Sequence, residues 1–159
     1  MGNVAAQTTG EANLANVPAS GSGAEILQWQ GPATVKVGES FALQLMMQSD
    51  QPITSLPLAI NFDQSALQVM NVTEGVFLKQ GGAQTSFTNR VDNGQILMTS
   101  TRVGDGGATR LAGVATIQLR ALAPSSSARV QVLAIAPVGL AGSSVNAAPP
   151  TPFIVQIQP

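Results

Sequence analysis

The sequence predicts an all-β fold, an antiparallel jelly-roll or immunoglobulin-like β-sandwich of about nine strands. Three features predict it. Apolar residues recur at every second position in four separate runs, turn residues fill the gaps between runs, and no stretch sustains a helical period.

Residues 1–24 are small, polar and aperiodic, ending in Ser20-Gly21-Ser22-Gly23. They hold too little apolar surface to offset the cost of ordering a chain, so they read as a flexible linker, with Met1-Gly2 a start added for expression. The domain is expected to span residues 25–159. Trp29, the single tryptophan, stands just ahead of the first strand and caps one end of the core.

The first alternation sets Phe41, Leu43, Leu45 and Met47 against Ala42, Gln44, Met46 and Gln48. In the second, Leu56, Leu58, Ile60 and Phe62 face the core while Ser55, Pro57, Ala59 and Asn61 face outward. The third sets Ala115, Ile117, Leu119 and Ala121 against Val114, Thr116, Gln118 and Arg120, and the fourth sets Phe153, Val155 and Ile157 against Ile154, Gln156 and Gln158. Asn93-Gly94 between two β-like runs predicts a hairpin. Asp63 is placed to cap a single helical turn over 63–67. Proline donates no ladder hydrogen bond, so Pro57 implies an edge strand or a bulge. The oily stretch 130–142 is broken by Gln131 and Pro137; it reads as a buried strand, since a membrane span needs roughly 18 or more apolar residues in a row.

Composition narrows the function. Charged residues are 9% of the chain, against about 25% in an ordinary globular protein. The net charge is −1, with seven basic and eight acidic residues scattered singly, so nucleic acid and an anionic membrane surface are set aside as partners, and the lack of a long apolar run argues against direct membrane insertion by this domain. Cysteine, histidine and tyrosine are absent. Without them there is no Ser-His-Asp triad, no thiolate nucleophile and no zinc site of the usual kind, and the chain does not read as an enzyme. Asp50, Asp63, Glu74, Asp92 and Asp105 fall mostly in turns, where Asp serves the local backbone. The loop Gly104-Asp105-Gly106-Gly107 offers one carboxylate where calcium takes several. No catalytic residue, metal or cofactor is implied. Asn71-Val72-Thr73 matches the short N-glycosylation pattern.

Several motifs fall in a recognisable order: Val35-Lys36-Val37-Gly38-Glu39-Ser40-Phe41, Leu58-Ala59-Ile60-Asn61-Phe62-Asp63-Gln64-Ser65-Ala66-Leu67-Gln68-Val69, Val72-Thr73-Glu74-Gly75, Asp92-Asn93-Gly94-Gln95-Ile96 and Gly113-Val114-Ala115-Thr116-Ile117. With these, residues 33–158 resemble a cohesin domain. The low charge, the stretch from Phe77 to Phe87 and the apolar Leu133-Ala134-Ile135-Ala136-Pro137 are most similar to the cohesin-like domain at the carboxyl end of bacterial secretins, the outer-membrane channels of type II secretion and type IV pilus systems. The resemblance implies a jelly roll of the carbohydrate-binding-domain type, periplasmic or extracellular and attached to an outer-membrane protein. It also implies a departure. Cellulosomal cohesins anchor dockerin through polar side chains that align near Ser55 and Pro57, and neither supplies a carboxylate or amide; Asp63-Gln64 also lacks the family's proline.

The expectation is a module that binds another protein through the outward face of Ser55, Pro57, Ala59 and Asn61, with Arg90, Asp92 and Arg102 as a polar rim. A carbohydrate-binding module that stacks a sugar of a polysaccharide on Trp29 is the first alternative. A structural domain that stabilises a larger assembly through its own sheet edge is the second.

Overall fold

The alternating runs fold into two facing sheets in a computed structural model that describes residues 25–159. The expected linker, residues 1–24, lies outside the described residues. Eleven strands follow in order: β1 (Ile26–Gln30), β2 (Thr34–Lys36), β3 (Ser40–Gln48), β4 (Ile53–Phe62), β5 (Leu67–Glu74), β6 (Gln84–Asp92), β7 (Gln95–Val103), β8 (Ala112–Ala121), β9 (Ser125–Ile135), β10 (Val138–Gly139) and β11 (Phe153–Gln158). The smaller sheet has the order β1-β3-β8-β5, and the larger runs β2-β11-β9-β4-β7-β6, with β10 also on β4. Every pairing is antiparallel except β2 with β11. Two short elements exceed the expected nine: the two-residue β10, and β1, which holds Trp29 inside a strand rather than ahead of one.

The alternation fixes the core. Leu43, Leu45, Met47, Ile60, Ile96, Leu119 and Val130 are fully buried, and the intervening positions of β3 and β4 face out. One alternation breaks. Leu45 pairs with Ala115 and Met46 with Gly113, so Val114 is an extra residue in β8 and is buried beside Ala115. The Asn93-Gly94 hairpin forms with φ of 50° and 77°, the left-handed pair that a two-residue turn needs. Residues 63–67 make a hydrogen-bonded turn in which Asp63 Oδ1 accepts from Ser65 N and Oγ, with no continuing helix.

Pro57 lies in a central strand, not at an edge. β4 pairs with β7 along one side and with β9 and then β10 along the other. The second ladder stops at Ile135 and resumes at Val138, and Ala136-Pro137 falls between them, opposite Pro57. Two prolines without N–H groups therefore face each other across one gap in the ladder. The remaining link is Ala136 N donating to Pro57 O at 3.3 Å.

Two joints fasten the end of β5, one within its own sheet against β8 and one to the facing sheet. Gly75 N donates to Val114 O at 2.9 Å, and any Cβ on Gly75 would overlap the backbone carbonyl of Gly113. Beside it, Glu74 of the smaller sheet accepts from Ser100 Oγ (2.6 Å) and Thr85 Oγ1 (2.8 Å) of the larger one. Ser100 is buried, so this bond also satisfies a polar group inside the core.

Candidate binding surface

The outer phases of β4, β6, β7 and β9 form one face. Register places Ala59 beside Leu97 on one side and Ala134 on the other, with Arg90 beyond Leu97 and Thr88 beyond Thr99. Between them lies a shallow, open groove of about 480 Å³ whose lining includes Pro57, Ala59, Thr88, Arg90, Leu97, Thr99 and Ala134. The bulge in β9 pushes an extra residue, Leu133, out of the sheet next to it, since Ala59 pairs with Ala134 and Ile60 with Val132.

Of the residues expected from sequence, Pro57, Ala59 and Arg90 line the groove. Ser55 and Asn61 flank it on β4; the Ser55 hydroxyl is already bonded to Thr101 Oγ1 at 3.0 Å. Asp92 shares the face, but its carboxylate pairs with Arg90 at 3.3 Å, so the two charges cancel locally. Arg102 is corrected. It falls on the inward phase of β7, and its guanidinium donates to Leu78 O (3.1 Å), Gln80 O (2.5 Å) and Asp105 O (3.3 Å). It holds the 3-10 turn Phe77–Gly82 against the 104–107 loop and is not a rim residue. Trp29 packs, half-buried, against the core, with its indole N–H buried and unpaired among the described residues. Its ring is a cap on the core, not an outward platform.

Sequence reading missed Leu97, Thr99 and Thr88. In β7 both phases carry apolar side chains (Ile96 and Met98 inward, Leu97 outward), and period two is hidden. The Asn93-Gly94 turn was sufficient to place them, because it sets Arg90 opposite Leu97 and Thr88 opposite Thr99.

The groove lining carries one ionisable side chain, Arg90, which is paired with Asp92. No three Asp or Glu residues converge to hold a metal among the described residues. Among the described residues the perturbed carboxyl is Glu25, whose pKa is raised by burial and by the Asp50 charge, against a hydrogen bond from Ser49 that lowers it; it lies off the groove, beside β1.

Residues 29–150 match the cohesin domain family. The chain belongs to the cohesin family. Its fold is similar to a non-cellulosomal cohesin from Archaeoglobus fulgidus (16% identity, TM-score 0.70, covering 84% of this chain and 90% of that one). It is also similar to a cohesin module of a Clostridium perfringens family 33 glycoside hydrolase (13% identity, TM-score 0.69, 86% and 96%). A type I cohesin–dockerin complex from Clostridium thermocellum gives 13% identity and a TM-score of 0.69, with 89% and 99% covered. No curated protein matches by sequence. At these identities the solved structures speak for the cohesin fold alone.

Proposed function

We propose that this cohesin domain is a non-catalytic docking module that holds another protein against the outer face of its larger sheet. Cohesin domains are protein-binding modules, and one similar fold comes from a complex with a dockerin. The observation that carries the reading is the groove over Pro57, Ala59 and Leu97: nearly neutral, largely apolar and at the centre of the wider sheet. Leu97 is 46% exposed and Leu133 45%, so a partner gains apolar burial there without stripping water from an isolated charge. The low charge and the motifs of the 77–87 stretch support a finer reading, in which the module serves a bacterial secretion or pilus system, in the periplasm or outside the cell, on an outer-membrane protein.

The test is capture from an envelope extract by immobilised domain. Pro57→Asp and Leu97→Asp should each lose the captured protein, because a buried unpaired carboxylate is costly, while Gln44→Glu on the opposite face should keep it. Equal capture by all three variants refutes the face. Fractionation of the native protein away from the outer membrane refutes the finer reading only.

A further inference from the structure

β6 forms one margin of the larger sheet, bonded to β7 on one side and, among the described residues, to no strand on the other. The two-residue turn at Asn93-Gly94 makes Asp92 and Gln95 a hydrogen-bonded pair. Alternation then directs the backbone groups of Gln84, Ser86, Thr88, Arg90 and Asp92 toward β7. Those of Thr85, Phe87, Asn89 and Val91 point away from the sheet. Four N–H and four C=O groups stand along that margin, and none bonds elsewhere among the described residues.

The other three margins are blunted. β2 has three residues, including Lys36, and follows Pro32. β5 is bulged between Val69 and Asn71. β1 has five residues and runs into Gly31-Pro32. β6 has nine residues, an unbroken register and neither proline nor lysine. Edge strands without such devices pair with further strands.

We propose that β6 is a self-association edge, where a second copy of this chain adds its own β6 antiparallel about a two-fold axis at Thr88. Using all eight groups requires Thr85 opposite Val91 of the second copy and Phe87 opposite Asn89. That register is its own mirror under a two-fold rotation, so a second copy satisfies it from both sides. On the outer face it sets Thr88 against Thr88, Ser86 against Arg90 and Gln84 against Asp92, with no like charges opposed. The inference does not rest on the partner-binding reading, because it uses the free backbone groups of β6, although Thr88 and Arg90 of that strand also line the groove.

Site-specific disulfides test it, since the chain has no cysteine. At the axis the two Thr88 Cα atoms lie about 4.5 Å apart as a non-hydrogen-bonded pair, within disulfide reach. The two Ser86 positions lie about 13 Å apart, beyond it. Wild-type protein should show a concentration-dependent dimer by sedimentation equilibrium. Thr88→Cys should oxidise to a covalent dimer and Ser86→Cys should not. Asn89→Pro deletes an outward N–H, twice over by symmetry, and leaves the β7 ladder intact; it should weaken dimerisation about thirtyfold with thermal unfolding of the monomer unchanged. A strictly monomeric wild type, equal cross-linking of both cysteine variants, or a dimer untouched by Asn89→Pro overturns the proposal.

Discussion

The two outer faces of the sandwich are both poor in charge, yet they differ in kind. The smaller sheet shows water a field of amides: Gln28 and Gln30 on β1, Gln44 and Gln48 on β3, Gln118 on β8 and Gln68 on β5. The larger sheet shows Pro57, Ala59, Leu97 and Ala134 around a groove. Burying an amide without a matching partner costs about 1–3 kcal/mol, whereas apolar surface returns about 25 cal/mol per Å². A low charge count alone therefore does not mark a docking surface. What marks it is an apolar centre as well, with amides such as Asn61 and Asn89 kept to its margin.

If the amide face is a solvated wall and the groove the contact surface, changes at the joints should move stability and leave capture by folded protein intact. The largest effect is expected from Gly75→Ala. Its methyl group would overlap the Gly113 carbonyl, backbone against backbone, so the chain must shift where β5 leaves β8. A loss of about 3 kcal/mol is expected from the denaturation midpoint, with capture retained below the transition. Ser100→Ala comes next. It leaves Glu74 Oε2 without its donor at the rim of the core and should cost about 1–2 kcal/mol, with Ser100→Thr costing less. Loss of capture without loss of stability in either variant would break the comparison.

The smallest effect belongs to Glu25. Burial holds its pKa above the ordinary 4.5, so the folded state keeps the proton more readily than the unfolded chain. The linked stabilisation is complete below that value and fades as pH rises through the elevated pKa. Stability of the wild type should decline slightly relative to Glu25→Gln across that rise, as followed by thermal unfolding against pH. An identical pH profile for the two proteins would place Glu25 outside the folding linkage.

Much of the fold was legible because β3, β4 and β11 each carry one clean alternation, and Asn93-Gly94 fixes a hairpin by its own dihedral preference. The bulge at Val114 was not, since a one-residue slip leaves an apolar residue on either phase and the composition of β8 looks unchanged. Pro57 announced an irregularity but not its kind: only Pro137, eighty residues later, supplies the matching gap. Arg102 misled because a cation in a hairpin strand reads as surface. The three carbonyls that claim it come from a 3-10 turn and a glycine loop whose approach no local pattern encodes. Groove residues on β4 were found, and those on β7 were not, for the reason that β7 is apolar on both phases.

The Arg90–Asp92 pair has a consequence for how a complex on this wall would behave. The two charges on this rim are bound to each other, so they leave little net field to draw a partner in from a distance. Encounter should proceed at the unguided rate of about 10⁵–10⁶ M⁻¹s⁻¹. Adding salt should neither slow it nor loosen the product, so the complex would hold equally in fresh water and brine.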